Sequence, residues 1–262
     1  MKFLSAEQFA RFERDGYLVV DRFLSAGEVA RVKEGIERAC QERRNMSQDA
    51  DGFNLEKEND ASLDTTANAK QPGMFRKIQG AVFHVPPVRE VFTSKKMIDC
   101  MEDVMGPSIH YHSSKVMFKP AHGGAAKPWH QDAAYWKEYE PNQVTVWIAL
   151  DDATEENGCV WGIPGSHKLG LIPHVAKELQ IEESRIDARK AVPVPVRSGG
   201  LLIFHSLVLH MSKKNTSDKN RWAIICDYDP QPFPSMDGRC PEMDEKGVWC
   251  LRGAKQKQTA AA

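Results

Sequence analysis

The sequence lacks the features that mark several large classes of protein. In its 262 residues no apolar run approaches the ~18 residues of a membrane-spanning helix, so we predict no span. No signal-peptide pattern opens the chain. The 35 basic and 36 acidic residues give a formal net charge of −1, without the positive excess that binds nucleic acid. We therefore expect neither a membrane nor a nucleic acid as partner.

The sequence also lacks a disulfide pattern. The six cysteines form no C-x-x-C pair and no regular framework, which favours free thiols in a reducing cytosol and predicts a cytoplasmic protein. The cysteines are residues 40, 100, 159, 226, 240 and 250.

What the sequence does contain fits one soluble domain over residues 1–262. Hydrophobic residues make up 41% of the chain, enough for a substantial core. We expect three parts: helices and loop in 1–108, a β core in 109–229 and a C-terminal tail in 230–262. The end of that tail, Lys255 to Ala262, reads as frayed.

Helices are predicted first along the chain. Ser5 to Gln8 and Ser25 to Glu28 are capping-box patterns, so helices should begin near residues 6 and 26. The second should run to about Arg44, and a short strand, Tyr17 to Val20, should lie between the two. A further helix is predicted from Ser94 to Met105, ended by a Gly-Pro pair.

About eight short strands follow, separated by turn signals. This is the pattern of a double-sheet jelly roll, so the fold class is mainly β with flanking N-terminal helices. The predicted strands are 109–118, 129–132, 144–151, 159–163, 191–196, 201–204, 207–211 and 221–228.

Two long segments interrupt the predicted elements. Residues 45–73 are polar and show no periodicity, so they are either a solvated surface loop or a lid over an active site. Residues 165–190 form an insert between strands that we place near the entrance of the barrel.

The segment around His130 carries the most informative motif. If residues 129–132 are extended, His130 and Asp132 project from one face. One more imidazole would complete the two-His, one-carboxylate arrangement of a non-haem Fe(II) oxygenase, and His210 is the candidate. A jelly roll can bring residues 130 and 210 together because its two sheets face each other.

Arg221 is the second chemical signal. It opens an apolar run, Trp222 to Cys226, that follows the apolar segment around His210. A buried arginine between two strands needs an anionic partner, because an unpaired charge in a core is costly. A bidentate guanidinium–carboxylate contact suits a dicarboxylate cosubstrate.

These residues resemble a known family, the phytanoyl-CoA dioxygenases. The likeness covers nearly the whole chain: residues 9–29 (FARFERDGYLVVDRFLSAGEV), the HQD motif at 130–132, residues 156–168 (ENGCVWGIPGSHK), and His210 followed eleven residues later by Arg221. The resemblance implies a double-stranded β-helix, a cupin-like jelly roll. It also implies a 2-oxoglutarate-dependent non-haem iron dioxygenase.

The resemblance implies a role for each matching residue. His130, Asp132 and His210 look like the iron ligands, and they are the residues that we predict to be catalytic. Arg221 looks like the residue that grips the distal carboxylate of 2-oxoglutarate. The remaining cosubstrate residues that it implies are Ser212 as a hydroxyl donor, Trp147 and Met117 as pocket lining, and Lys77 near the same carboxylate.

The reaction implied is a hydroxylation that uses Fe(II), 2-oxoglutarate and O2 and releases succinate and CO2. Related halogenases lack the carboxylate ligand and leave a site for chloride, so Asp132 favours hydroxylation. Two alternatives stay open: a zinc hydrolase, since the same ligands suit catalytic zinc, and a catalytically silent jelly roll that binds a metal or small ligand.

The substrate is expected to be a small or medium-sized organic molecule. An anion, such as a phosphonate, carboxylate or CoA ester, is favoured by basic residues around the predicted mouth of the active site. Those residues are Arg76, Lys119, His122, Lys127 and Lys137.

His205, His110 and His112 are expected to be packing residues. His205 lies five residues before His210, which in a continuous strand places it on the opposite face. His110 and His112 share one strand face, but no carboxylate follows at a suitable spacing for a second metal site. Tyr135 and Trp136 either stack on substrate or bury under the loop 45–73.

Overall fold

The structure is a computed structural model that describes residues 1–57, 70–136, 140–175 and 179–253. Within this described part, five α-helices precede residue 106: α1 Ala6–Asp15, α2 Ala26–Gln41, α3 Ala81–His84, α4 Pro86–Thr93 and α5 Lys95–Met105. The strands are β1 Tyr17–Val20, β2 Phe53–Lys57, β3 Lys70–Gln79, β4 Ile109–Lys119, β5 Lys127–His130, β6 Val144–Ala149, β7 Val160–Gly162, β8 Val192–Val194, β9 Leu201–His205, β10 His210–Ser212, β11 Arg221–Asp229 and β12 Trp249–Arg252.

The described strands form two sheets in which the neighbouring strands are antiparallel. The larger has eight strands in the order β1-β9-β6-β11-β4-β3-β2, with β12 added beside β4. The smaller has four strands in the order β5-β10-β7-β8. This double-sheet arrangement confirms the predicted jelly roll.

Alternation along the central strands decides what each face of the larger sheet buries. In β6, Val144, Val146 and Ile148 pack with residues of the helices in one apolar cluster. Trp147 and Ala149 point the other way and pack with residues of the smaller sheet. Successive side chains of a strand point to opposite faces. The helices therefore cover one face of the larger sheet, and the space between the sheets is left for a site.

The helix predictions are confirmed at their starts. Ser5 accepts a hydrogen bond from the Gln8 backbone N–H at 3.1 Å, and the Gln8 side chain accepts one from the Ser5 N–H at 2.9 Å. Ser25 and Glu28 form the same reciprocal pair. Helix α2 ends at Gln41 rather than near Arg44, because residues 42–45 form turns.

Several elements lie where the sequence pattern predicted loop or tail. Residues 53–57 of the expected loop 45–73 form β2, with Phe53 and Leu55 fully buried, and β3 joins β2 to β4. Residues 58–69 lie outside the described residues. Pro72 and Gly73 hide β3 from the sequence pattern, since both weaken a strand signal.

The larger sheet also extends beyond the predicted core span of 109–229. Strands β1, β2 and β3 precede that span, and β12 follows it and pairs with β4. The expected frayed end, Lys255 to Ala262, lies outside the described residues. Among the described residues, no helix has both the length and the apolar character needed to cross a bilayer.

Candidate active site

A cavity of about 710 Å³ opens between the two sheets. Its wall includes side chains from both sheets, and all eight residues singled out in the sequence line it: Lys77, Met117, His130, Asp132, Trp147, His210, Ser212 and Arg221. Residues that lie as far apart as 77 and 221 in the chain are thus brought to one place by the fold.

Strand pairing brings the two motif histidines together. His130 on β5 and His210 on β10 are directly opposite each other in the antiparallel register. Their ring centroids are 4.1 Å apart, and both side chains are buried. The smaller sheet therefore sets the spacing of the two imidazoles.

The carboxylate of Asp132 lies beside the two histidines, but its local backbone structure differs from the predicted strand. Strand β5 ends at His130, and Asp132 begins a 3-10 turn over Asp132–Tyr135, so the predicted strand 129–132 is wrong at its end. Gln131 between them is still extended, with φ −122° and ψ 133°, which keeps the side chains of His130 and Asp132 on one side. Asp132 Oδ1 lies 3.6 Å from His130 Nε2 and 3.8 Å from His210 Nε2.

Hydrogen bonds fix which nitrogen of each histidine faces the carboxylate. His130 Nδ1 lies 2.8 Å from the carbonyl oxygen of Pro128, and His210 Nδ1 lies 2.9 Å from that of Val208. Each Nδ1 therefore donates to a carbonyl, and each Nε2 keeps its lone pair for a metal. Burial, with a smaller effect from His210, holds the pKa of His130 well below its usual value, so the ring is neutral as a ligand must be.

The three side chains meet the requirements of a metal site. One ligand atom from each of His130, Asp132 and His210 lies within 4.8 Å of the other two, and no other group of three such residues was found in the described parts of the chain. Two imidazoles and one carboxylate on one side suit an Fe(II) ion with open positions.

The second oxygen of Asp132 is held by a buried network. The Thr145 hydroxyl lies 2.8 Å from Asp132 Oδ2 and 2.9 Å from Asp227 Oδ1. Asp227 Oδ2 accepts a hydrogen bond from Ser113 at 2.5 Å and lies 3.7 Å from Lys115 Nζ. The Oδ2 atom of Asp132 is thereby hydrogen-bonded to Thr145, and the Oδ1 atom of Asp132 is left to face the histidines.

Arg221 lies at another part of the cavity wall. It is 4% exposed, its Nη2 donates to the carbonyl of Gly158 at 3.3 Å, and its guanidinium carbon lies 5.3 Å from the centre of the Trp147 ring. Its Nε is buried and has no hydrogen-bond partner. A buried guanidinium with an unsatisfied N–H is a receptor for an anion, since leaving it unpaired is costly.

Four more cationic side chains contribute to the cavity wall. Arg76, Lys77, Lys115 and Lys127 all line it. Burial first, and then the charges of Lys115 and Arg76, lower the pKa of Lys77. Burial acts to lower the pKa of Lys115, but the charges of Asp227 and Asp132 outweigh it and raise the pKa, so this ammonium stays charged.

The region of the chain that matches a known family includes His130, Asp132, His210 and Arg221. The model of the phytanoyl-CoA dioxygenase (PhyH) family matches residues 12–223. The chain belongs to the phytanoyl-CoA dioxygenase family. The family predicted from the sequence motifs is thereby confirmed.

Individual relatives of this family member are distant in sequence. A methylphosphonate hydroxylase of Gimesia maris is 30% identical over 226 residues, covering 86% of this chain and 80% of that protein. A probable alpha-ketoglutarate-dependent hypophosphite dioxygenase of Stutzerimonas stutzeri is 27% identical over 233 residues, covering 85% and 78%. The crystal structure of EctD from S. alaskensis, with 2-oxoglutarate and 5-hydroxyectoine, matches with a TM-score of 0.69 and 23% identity, covering 86% and 76%. The enzyme class predicted from the sequence agrees with these names.

The basic residues that were expected at the mouth of the active site differ in where the structure places them. Arg76 and Lys127 line the cavity as expected. Lys119 also lines it but is 5% exposed and lies beside Ser212, so it belongs to the interior. His122 is exposed and lies 2.5 Å from Asp218, away from the cavity wall. Lys137 lies outside the described residues.

The aromatic pair after Asp132 divides between wall and mouth. Trp136 is buried, with its ring 4.8 Å from that of His112. Tyr135 is 42% exposed, with Lys127 Nζ 5.5 Å from its ring. Tyr135 is therefore the one free to contact a substrate, while Trp136 fixes the wall.

His205, His110 and His112 pack as predicted, although the reason given for His205 was wrong. His205 ends β9 of the larger sheet and His210 begins β10 of the smaller one, so they are not two faces of one strand. Burial, with a smaller effect from His167, lowers the pKa of His205 to about 4 and keeps it neutral. His110 and His112 are both buried on β4.

Sequence reasoning missed Lys115, Thr145 and Asp227. Lys115 and Thr145 each lie two residues before a predicted pocket residue, Met117 and Trp147, and so share its strand face. Asp227 is an acidic residue inside the apolar strand β11, the same signal that singled out Arg221.

Proposed function

We propose that the protein is an Fe(II)- and 2-oxoglutarate-dependent dioxygenase that hydroxylates a small or medium-sized organic anion and releases succinate and CO2. The observation that carries this proposal is the pairing, in one cavity, of a metal-ligand triad with a buried arginine that has an unsatisfied N–H. Neither the triad nor the arginine alone specifies the reaction.

His130, Asp132 and His210 are the residues that would hold iron. Their nitrogens and oxygen already face one another, with Nδ1 of each histidine and Oδ2 of the aspartate held by other groups. When bound, the iron would supply the oxidising chemistry by which dioxygen is used. The protein's own part is to keep three ligands on one side and leave the other side open.

Arg221 and Ser212 would bind the distal carboxylate of 2-oxoglutarate. The guanidinium offers its unpaired Nε, and the Ser212 hydroxyl can donate because its oxygen already accepts from Lys119 at 3.0 Å. Trp147 and Met117 would pack on the carbon chain between that carboxylate and the metal. Lys77 faces Met117 across the β3–β4 pair and would add positive charge.

The charge of the cavity supports an anionic substrate. Arg76, Lys77, Lys115 and Lys127 line its wall, and Asp132, the one carboxylate among the described lining residues, is reserved for the metal. Two relatives are named for reactions on methylphosphonate and hypophosphite, both small oxyanions. We therefore place phosphonates and small carboxylates first among candidate substrates.

The experiment is a screen for substrate-dependent succinate release. The Fe(II)-loaded protein is given 2-oxoglutarate, O2 and a panel of phosphonates and carboxylates, each beside its neutral ester or amide. We expect coupled succinate for an anion and a much weaker response to its neutral partner. Equal response to both would reject the anionic class.

Asp132→Ala serves as the matched control in that screen. It should abolish succinate release while the far-ultraviolet circular dichroism stays unchanged. Full activity of this variant with iron present would reject the ligand assignment. Zinc binding with hydrolysis of the esters, and no succinate, would favour the zinc hydrolase.

A further inference from the structure

Lys119 is the most deeply placed cation that the proposed chemistry leaves without a role. It is 5% exposed and pairs with Arg221 in the β4–β11 register, so two buried cations stand side by side on neighbouring strands. Each would repel the other in the absence of an anion, and each costs desolvation energy.

The hydrogen bonds of Lys119 define how its charge can change. Its Nζ donates to Ser212 Oγ at 3.0 Å and to the carbonyl of Lys213. A neutral amine has two N–H groups, so these two bonds use both. Protonation adds a third N–H. Because both acceptors are already hydrogen-bonded, this third group can donate to an anion in the cavity.

When no ligand is present, the surroundings of Lys119 shift its protonation equilibrium toward the neutral amine. Burial first, then the charge of Arg221, lower the pKa of Lys119 to about 7. Cys159 and Glu56 act in the opposite direction with smaller effect. Gly158 closes this side: a Cβ there would lie 3.0 Å from Lys119 Nζ, and its φ of +82° suits glycine.

We propose that Lys119 is a second, proton-coupled binding residue for the distal carboxylate of 2-oxoglutarate, taking up a proton when the cosubstrate binds. This rests on the proposed function. The incoming carboxylate would lie near both Arg221 and Lys119, and an opposite charge at this range favours the charged amine. The proton comes from solvent and is bound at Nζ, so binding strength depends on pH.

The sign of the dependence follows from this linkage. Below pH 7 Lys119 is already protonated in the free protein, and binding takes up no proton. Above pH 7 binding must protonate it, so uptake approaches one proton and the Kd of 2-oxoglutarate rises by up to about tenfold per pH unit.

The test is calorimetric titration of 2-oxoglutarate into the Fe(II)-loaded protein under argon. Buffers of different ionisation enthalpy are used at pH 6 and pH 8, which reports protons taken up without any turnover. We expect no uptake at pH 6 and close to one proton at pH 8. Lys119→Met should take up no proton at either pH and bind about 10- to 100-fold more weakly at pH 6, as loss of a charge-assisted hydrogen bond predicts.

Two variants secure the interpretation. Lys119→Arg keeps the charge at all pH values, so it should bind without proton uptake even at pH 8, and it replaces Lys119→Met if that variant does not fold. Lys213→Met is the matched control. The exposed ammonium of Lys213 lies 3.9 Å from the Trp161 ring, away from the cavity wall. Removing it should leave proton uptake equal to that of the native protein.

The outcomes separate the two proposals. If 2-oxoglutarate binds at pH 8 without proton uptake, or if Lys119→Met takes up as many protons as the native protein, the role of Lys119 is rejected while the oxygenase stands. If 2-oxoglutarate fails to bind the iron-loaded protein at any pH, the proposed function itself fails.

Discussion

At the scale of one residue, the neighbours of Asp132 leave one of its oxygens for the proposed metal. Thr145 occupies Oδ2 and leaves Oδ1 beside the two histidine nitrogens. Asp227 has its own partners in Ser113 and Lys115, so it does not depend on the single proton of the Thr145 hydroxyl. We therefore propose that Thr145 positions Asp132 as a metal ligand.

Thr145→Val should weaken Fe(II) binding with little change of shape. The methyl group replaces the hydroxyl at nearly equal volume, and losing a group that orients a ligand costs about 10- to 100-fold in metal affinity. Anaerobic Fe(II) titration measures this. Thr93→Val, which removes a hydroxyl bonded to the Arg89 carbonyl in α4, is the control and should bind normally. An unchanged affinity in Thr145→Val would contradict the positioning role.

The residues of the cavity differ in how readily the sequence reveals them. His130 and Asp132 were predictable from their spacing, and His210 and Arg221 because each is polar beside or within an apolar run. Thr145 carries no charge and no motif, so only the strand alternation points to it. Lys119 was predicted at the mouth, because sequence gives no depth, and the structure places it beside Ser212.

At the scale of elements, the pairing of β5 with β10 is the step that makes the site. The register sets His130 opposite His210, although eighty residues separate them. The sequence predicted a strand near each histidine, 129–132 and 207–211. It could not give the register, which depends on the partner strand.

The elements that the sequence did not reveal are those whose stability comes from the sheet rather than from local pattern. Strand β3 contains Pro72 and Gly73, and β12 has four residues after a long irregular stretch. Both pair with β4, which supplies their backbone hydrogen bonds. Capping boxes, in contrast, are local, and helices α1 and α2 begin where the sequence predicts.

Trp249→Ala should test the contribution of β12 to stability. Trp249 is 5% exposed, with its ring 5.3 Å from that of Tyr111 and the Arg89 guanidinium 4.9 Å from its centre. Removing a buried tryptophan costs about 3–5 kcal/mol of the free energy of unfolding, measured in urea. The control Leu169→Ala, at a 68% exposed position, should change it by less than about 0.5 kcal/mol. A small effect at Trp249 would make β12 a dispensable tail.

At the scale of the whole molecule, the distribution of charge matters more than its sum. The net charge is −1, yet Arg76, Lys77, Lys115 and Lys127 line one cavity. A concave site lined by one sign of charge concentrates ligands of the opposite sign. The molecule as a whole is therefore nearly neutral while its cavity wall is positively charged, which supports the proposed selection of anions.

Arg76→Gln should reduce that selection. We expect kcat/KM for the best anionic substrate to fall about 10- to 100-fold, as for a lost charged contact, and that for its neutral ester to change less than threefold. Lys214→Gln, an exposed position outside the cavity wall, is the control. Equal losses for both substrates would indicate damage to the site rather than lost recognition of charge.

The most direct measurement is the visible absorption of the protein during anaerobic addition of Fe(II) and then 2-oxoglutarate. The account predicts a weak charge-transfer band that forms only when both are present. The band should be absent in His210→Ala and should need a much higher 2-oxoglutarate concentration in Arg221→Ala. No band in the native protein, or an unchanged band in both variants, would contradict the assignment of this cavity as an iron and 2-oxoglutarate site.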